Sequence, residues 1–153
     1  MPNLELKIPP PAVALLLAMS MGVAWYFSPQ SGVTSALRLP VAIAVALMGL
    51  GFSVAGLVAF RRASTTVNPL QPDRASSLVT AGVYRITRNP MYVGLLLVLL
   101  AWATYLSAIW ALAGPLAFYV FMNRFQIEPE ERVLNRLFGQ AYEAYCLRVR
   151  RWL

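Results

Sequence analysis

The chain has 153 residues, of which 59% are hydrophobic and only 12% are charged. About a quarter of the residues in a soluble domain are charged, so this composition indicates an integral membrane protein. The net charge of +7 does not indicate nucleic-acid binding, because the arginines lie between and after apolar blocks, where anionic lipid headgroups explain them. With no histidine and one cysteine, we expect neither a metal centre nor an internal disulfide.

The first two apolar blocks are predicted to be membrane-spanning helices. Residues 11–27 are uncharged and long enough, at about 1.5 Å per residue, to cross most of a hydrocarbon core about 30 Å thick. A signal peptide would carry more positive charge than Lys7 at its start, so we expect an uncleaved span. Residues 39–60 form the second span. Small residues within it predict close packing against another helix; these are Gly49, Gly51, Ser53, Ala55 and Gly56.

A polar segment separates these blocks from the next apolar stretch. Residues 61–89 contain the turn-forming pairs Asn68-Pro69, Gln71-Pro72 and Ala81-Gly82, which predict a loop. Residues 91–123 are then uncharged, and this stretch is too long for one ordinary span. We predict two helices, 90–106 and 109–124, joined by a tight turn.

The C-terminal part of the chain is charged. Apolar residues at spacings of three and four predict an amphipathic cytoplasmic helix over 129–148. The predicted fold class is therefore all-α, a single membrane-embedded domain over residues 1–153 with about four transmembrane helices. Arginines concentrate in the 61–89 loop and in the tail, so the positive-inside rule places both termini on the cytoplasmic side, as in the inner or plasma membrane of a prokaryote.

The start of the third span is a candidate anion site. Asn89 is predicted as the N-cap and Pro90 as the first helical residue. The first-turn amides, with Arg85 and Arg88 nearby, would suit a carboxylate or a phosphate. The alternative is a plain helix cap beside arginines that face headgroups.

A second polar cluster opens the C-terminal helix at Glu128-Pro129-Glu130-Glu131-Arg132. If that helix lies against the start of the third span, Glu130 and Glu131 would face Arg85, Arg88 and four tyrosines, which are Tyr84, Tyr92, Tyr142 and Tyr145. Such a pocket would suit a zwitterionic ligand that carries an adenine. The alternatives are glutamates that only favour the helix dipole and tyrosines that form an interfacial aromatic belt.

Two segments in this order resemble the membrane methyltransferases that include isoprenylcysteine carboxyl methyltransferase and the phospholipid N-methyltransferases. The first segment runs from Thr80 to Gly94 through Arg88-Asn89-Pro90-Met91-Tyr92, and the second joins Glu130-Glu131-Arg132 to Leu134, Phe138-Gly139, Tyr142 and Tyr145, with Val149 and Arg151-Trp152 after it. Together they cover about residues 66–152. The isoprenylcysteine enzymes have a histidine where this chain has Asn89, which weakens the prenylcysteine substrate more than the methyltransferase activity.

The resemblance implies that S-adenosylmethionine is the cofactor, bound at the cytoplasmic face, and that a lipophilic or membrane-resident carboxylate or amine accepts the methyl group. The candidate cofactor-binding residues are Tyr84, Arg85, Arg88, Asn89, Pro90, Tyr92, Gly94, Glu130, Glu131, Tyr142 and Tyr145. Glu130 and Glu131 are also the candidate catalytic residues, although no general base is assigned. The alternatives are a membrane reductase that uses a nicotinamide cofactor and a membrane scaffold without catalytic activity.

Overall fold

The computed structural model describes residues 5–28, 36–63 and 77–153, and these residues form an all-helical fold, as predicted. The helices are α1 (Pro10–Phe27), α2 (Arg38–Arg62), α3 (Pro90–Leu106), α4 (Ala113–Met122), α5 (Glu128–Phe138) and α6 (Gln140–Arg148). Short 3-10 turns cover Gly82–Arg85 and Ile109–Leu112, and a π-helical turn, Asn123–Ile127, joins α4 to α5. The predicted turns at 68–69 and 71–72 lie outside the described residues.

Helices α1 and α2 are long and apolar enough to cross a membrane. Their bounds agree with the predicted spans 11–27 and 39–60 to within two residues. Helix α3 has 17 residues and covers the predicted third span, 90–106. It ends at Ser107, which has the left-handed backbone conformation with φ at 52°.

Helices α2 and α3 approach each other so closely that their backbones are in contact. A Cβ atom on Gly94 would lie 2.5 Å from the Gly49 carbonyl oxygen, and one on Gly49 would lie 2.6 Å from the Gly94 carbonyl oxygen. Gly56 is similarly close to Pro90 and Met91 at the start of α3. The predicted packing role is thus observed for Gly49 and Gly56. It is wrong for Gly51, which is exposed and where an added Cβ would meet no described atom of another element within 4 Å.

The core lies between α1, α3 and α4. Its largest fully buried apolar side chains are Leu99 from α3, Phe118 and Met122 from α4, and Ile127 from the π-helical turn. The indole nitrogen of Trp102 donates to the Ala18 carbonyl oxygen of α1 at 3.0 Å. This apolar cluster continues to Ile127, so the polar residues at the start of α5, Glu128 to Arg132, lie directly beside the helix core.

The predicted helices 109–124 and 129–148 both differ from the structure. Residues 109–112 form a 3-10 turn, and α4 begins only at Ala113, which places Pro115 in its first turn, where a missing N–H is tolerated. The predicted C-terminal helix is divided at Gly139, whose φ of 47° and ψ of −124° cannot continue a helix. Helix α6 therefore folds back, and Tyr142, Tyr145 and Val149 pack with Leu134 and Phe138.

Residues 5 and 6, the first that the structure describes, lie at the same end of the helix bundle as the C-terminal tail. The Leu6 amide donates to the Phe125 carbonyl oxygen at 3.0 Å, and Glu5 forms an ion pair with Arg132 at 2.6 Å. The C-terminal tail pairs with the segment before α3, where the Arg88 amide donates to the Arg150 carbonyl oxygen at 2.9 Å. The polar residues of both predicted clusters lie in this layer.

Candidate functional site

Glu131 links two arginines that are far apart in the sequence. One carboxylate oxygen lies 3.0 Å from Arg88 Nη2, and the other lies 2.6 Å from Arg151 Nη2. The side chains of Arg88 and Glu131 are 14% and 20% exposed, so the pair is only partly screened by solvent. This ion pair joins the segment before α3 to the first turn of α5, which is a contact that the sequence analysis expected if the C-terminal helix lay against the start of the third span.

Arg88 has one nitrogen atom without a hydrogen-bond acceptor. Its Nη1 contacts the Cys146 sulfur and its Nη2 pairs with Glu131. Its Nε is buried, and no described residue accepts a hydrogen bond from it. A buried donor without a partner costs on the order of 1–3 kcal/mol. The guanidinium group is therefore held in place by Glu131 and Cys146, and one of its buried donors has no hydrogen-bond partner among the described residues.

Glu130 makes a second connection between α3 and α5. Its Oε1 accepts hydrogen bonds from the Tyr92 hydroxyl and from Gln126 Nε2, each at 2.6 Å. Burial raises the pKa of Glu130 to about 7, although the two hydrogen bonds oppose the shift. Glu130 and Glu131 are adjacent, but the structure gives them different partners.

Asn89 occupies the predicted N-cap position, but its side chain does not cap the helix. Its amide nitrogen instead donates to the Arg151 carbonyl oxygen at 2.9 Å. The same carbonyl oxygen accepts from the fully buried Thr87 hydroxyl at 3.2 Å. Asn89 thus attaches the C-terminal tail to the start of α3, which positions Arg151 beside Glu131.

All four candidate tyrosines are buried. Tyr84 is buried against Phe60, with ring centroids 5.4 Å apart, and its carbonyl oxygen accepts from the Tyr145 hydroxyl at 2.7 Å. Burial is the main cause that raises the pKa of Tyr84, Tyr142 and Tyr145, so all three hydroxyls are neutral at physiological pH.

A cavity of about 430 Å³ opens beside these groups. Its lining residues are Glu128, Glu131, Arg132, Asn135 and Tyr142. Its volume falls within the range of about 300–1,000 Å³ that is usual for small-molecule sites. The cavity combines carboxylates, a guanidinium group, an amide and an aromatic ring, and it shares Glu131 with the Arg88 ion pair.

Three of the predicted site residues do not join this group. Arg85 is exposed, and among the described residues it has no ion-pair partner. Gly94 lies in the contact between α2 and α3, and Pro90 is buried against Gly56. The first-turn amides are also largely occupied, because those of Tyr92 and Val93 donate to the Asn89 carbonyl oxygen.

The structure adds residues that the sequence analysis did not list as site candidates, although Arg151 belongs to the second segment that carries the resemblance. Arg151 is the second partner of Glu131, Gln126 is the second donor to Glu130, and Cys146 contacts Arg88. Asn123 accepts from both Arg151 and Trp152. A spacing of four residues from Gln126 to Glu130 would have placed that pair on one helical face. For Arg151 and Cys146, local sequence carries no comparable signal.

A family model described as phospholipid methyltransferase matches residues 37–141. The chain belongs to the phospholipid methyltransferase family. The matched segment extends from α2 into α6, so it contains Arg88, Tyr92, Glu130 and Glu131. Family membership and the apolar helices support a membrane methyltransferase, which agrees with the resemblance drawn from the motifs.

Other known proteins are similar to the chain. A probable protein-S-isoprenylcysteine O-methyltransferase of rice, Oryza sativa, is 29% identical over 154 residues, which cover 90% of this chain and 78% of the rice protein. The same holds for the protein from each of the subspecies indica and japonica. An uncharacterized protein of Haemophilus influenzae is 46% identical over 63 residues, which cover 41% of this chain and all of that protein. No solved structure matches the chain.

Proposed function

We propose that the protein transfers a methyl group from S-adenosylmethionine to a lipophilic acceptor, with the cofactor in the polar layer at the start of α3 and α5. The observation that supports this most is the Arg88 guanidinium group. It is held by Cys146 and by Glu131, which lines the cavity, and its buried Nε has no hydrogen-bond partner among the described residues. This donor suits a ligand carboxylate, because guanidinium and carboxylate groups form charge-assisted hydrogen bonds.

The remaining groups fit the other parts of the cofactor. Arg88 would bind the methionine carboxylate, and Glu128 or Glu131 would accept hydrogen bonds from ribose hydroxyls or the amino group. The Tyr142 ring, which lines the cavity, offers an aromatic face to the adenine or the sulfonium. S-Adenosylmethionine supplies an electrophilic methyl group on a positively charged sulfur.

The protein's contribution is alignment and exclusion of water. The two connections, Arg88 to Glu131 and Tyr92 to Glu130, hold α5 against the start of α3. A fixed orientation of donor and acceptor removes much of the entropic barrier to an in-line transfer. Tyr84 packs against Phe60 of α2 and accepts a hydrogen bond from Tyr145, so these buried aromatic residues connect α2 to α6 near the site.

We further propose that the chain spans the membrane four times, through α1, α2, α3 and the segment that includes α4, with both termini cytoplasmic. The contacts of Glu5 and Leu6 with the layer around α5 support a common side for the two ends. The arginines of this layer favour the cytoplasmic face. A lipophilic acceptor would then reach the site from the bilayer.

Calorimetry of the full chain in detergent tests cofactor binding. Glu131→Gln removes the charge that holds Arg88 and Arg151, so we expect S-adenosylmethionine affinity to fall about 10- to 100-fold, as for loss of one or two charge-assisted contacts. Glu143→Gln, on the exposed surface of α6, is the matched control and should bind normally. Wild-type protein that binds NADPH and not S-adenosylmethionine would refute the proposal.

Methylation with labelled S-adenosylmethionine tests the reaction. A total lipid extract serves as the general acceptor. A phosphatidylethanolamine micelle and S-farnesyl-N-acetylcysteine serve as defined amine and carboxylate acceptors. Label in the organic phase that depends on Arg88 supports the proposal. Binding of neither cofactor, with no transfer to any acceptor, would indicate a scaffold.

A further inference from the structure

Glu130 and Glu131 follow each other in the chain but lie in opposite electrostatic environments. Glu131 forms ion pairs with two arginines. Glu130 forms no ion pair with any described residue, and its partners are the neutral groups of Tyr92 and Gln126. A buried carboxyl group without an ion-pair partner is suited to exchange a proton, because no neighbouring positive charge holds it ionised.

The two oxygens of Glu130 are also different from each other. Both hydrogen bonds end on Oε1. Within the described part of the chain no group donates to Oε2. Tyr92 and Gln126 therefore fix the orientation of the carboxyl group and leave one oxygen with a free lone pair.

Helix geometry directs the two glutamates to different sides of α5. The cavity-lining residues Glu128, Glu131, Arg132 and Asn135 recur at spacings of three and four, so they share one face. Glu130 is rotated from Glu131 by about 100°, and it contacts Tyr92 on α3. Glu131 faces the cavity, whereas Glu130 faces the ends of the membrane helices, from which a lipophilic acceptor would arrive.

We propose that Glu130 Oε2 accepts the proton that the methyl acceptor loses, with Tyr92 and Gln126 as its positioning residues. This inference rests on the proposed methyl transfer, and it assigns the two glutamates separate roles. Glu131 holds the cofactor side through Arg88, and Glu130 serves the acceptor side. The acceptor is then a group that carries a proton at neutral pH, such as an ammonium, rather than a carboxylate.

The step balances without a further reagent. A proton passes from the acceptor ammonium to Glu130 Oε2, which leaves a neutral amine and a neutral carboxyl group. The amine nitrogen then uses its lone pair to form the bond to the methyl carbon of the sulfonium donor, while the bond between that carbon and sulfur breaks and its electrons stay on sulfur. Glu130 releases the proton to solvent after the product leaves.

Among the groups that face Glu130, several cannot take up or release a proton near neutral pH. Tyr92 approaches from α3, Gln126 from the π-helical turn, Tyr84 from the 3-10 turn, and Glu131 from α5 itself. Burial raises the pKa of Tyr84 far above the neutral range, and Gln126 does not titrate. Burial raises the pKa of Glu130 to about 7, which suits proton acceptance near neutral pH.

The test measures the pH dependence of turnover with saturating labelled S-adenosylmethionine and the phosphatidylethanolamine micelle. For wild-type protein, kcat should fall below about pH 7 with the slope of one proton. Glu130→Gln should lower kcat by about 10²- to 10⁴-fold and remove this slope. Its S-adenosylmethionine affinity should change less than about threefold, because Glu131, Arg88 and Arg151 keep their contacts. Glu143→Gln should match wild type in both measurements.

Tyr92→Phe gives a second readout. The Tyr92 hydroxyl stabilises the charged Glu130 carboxylate and lowers its pKa. In the variant the fall of kcat on the acidic side of the pH profile should therefore begin at a higher pH, while kcat at alkaline pH is largely kept. An infrared titration of the protein without substrates provides a readout apart from activity. The carboxylic acid C=O band should appear as the pH falls through about 7, and Glu130→Gln should lack it.

Several results would overturn the inference. Loss of S-adenosylmethionine binding in Glu130→Gln, to the extent seen in Glu131→Gln, would make Glu130 a cofactor ligand. Methylation of S-farnesyl-N-acetylcysteine alone, at a rate independent of pH, would remove the need for a proton acceptor. Absence of the infrared band in wild type would show that Glu130 does not titrate there. A wild-type protein that binds no S-adenosylmethionine instead refutes the proposed function, so the two failures are distinct.

Discussion

The substitution Gly94→Ala tests whether Gly94 serves the contact between two helices or the binding of the cofactor. The sequence motif includes Gly94, but the structure places it where α2 and α3 touch. A Cβ atom there would lie 2.5 Å from the Gly49 carbonyl oxygen, which is backbone and cannot rotate away, and 3.0 Å from the Ser53 amide nitrogen. The added methyl group must therefore push the two helices apart.

The cost follows from that displacement. An ordinary contact requires the helices to move by about 0.7 Å, and a gap of about that size forfeits a quarter to a half of the dispersion energy of each contact pair. Overpacking of this kind costs about 1–3 kcal/mol. We expect the upper part of that range because the added methyl group meets two backbone atoms and also the Ser53 hydroxyl oxygen, which is its nearest neighbour. Cofactor affinity of the protein that remains folded should be unchanged, since the methyl group lies away from Arg88 and Glu131.

Gly51→Ala is the matched control on α2. Its added Cβ would have no described atom of another element within 4 Å, so the substitution should stabilise the helix by about 0.5–1 kcal/mol. Equilibrium unfolding in mixed micelles of increasing denaturing detergent measures both changes, and calorimetry measures affinity. The reasoning is wrong if Gly94→Ala is as stable as wild type, or if it loses S-adenosylmethionine affinity at unchanged stability.

Three further predictions concern stability. Burial raises the folded-state pKa of Glu130 from 4.5 to about 7, so the folded protein holds one more proton than the unfolded chain between these pH values. The free energy of unfolding should therefore fall by on the order of 1–3 kcal/mol as the pH rises from 4.5 to about 7. Unfolding measured against pH should show no such fall in Glu130→Gln. Asn89→Leu should release the C-terminal tail and lower the free energy of unfolding by about 1–2 kcal/mol, whereas Pro90→Ala should lower it less. Proteolysis of the tail measures the difference, and equal losses of expression in the two variants would contradict a local role for Asn89. Trp102→Phe removes the hydrogen bond to the Ala18 carbonyl oxygen and should cost about 1 kcal/mol; unchanged unfolding would show that α1 is held by apolar contacts alone.

The helices that the sequence predicted well have local signals. Helix α3 begins at Pro90 because a proline fits the first turn, and α1 and α2 follow from uncharged blocks of sufficient length. The divided C-terminal helix was missed because its apolar spacing continues on both sides of Gly139. Only the backbone at that residue, with a positive φ, shows that α6 turns back.

For the site, the sequence determined which kinds of group were available, and the tertiary structure decided how they are used. An arginine before one helix start and a pair of glutamates at another indicated a contact only on the condition that the C-terminal helix lay against the start of the third span, and the structure supplies that condition. Nothing local distinguishes Glu130 from Glu131. Their difference arises from a rotation of about 100° around α5, which directs Glu131 to Arg88 and Arg151 and directs Glu130 to Tyr92 and Gln126. Only the packing of α5 against α3 and the return of the C-terminal tail decide that arrangement, since both bring together residues separated by tens of positions in the chain.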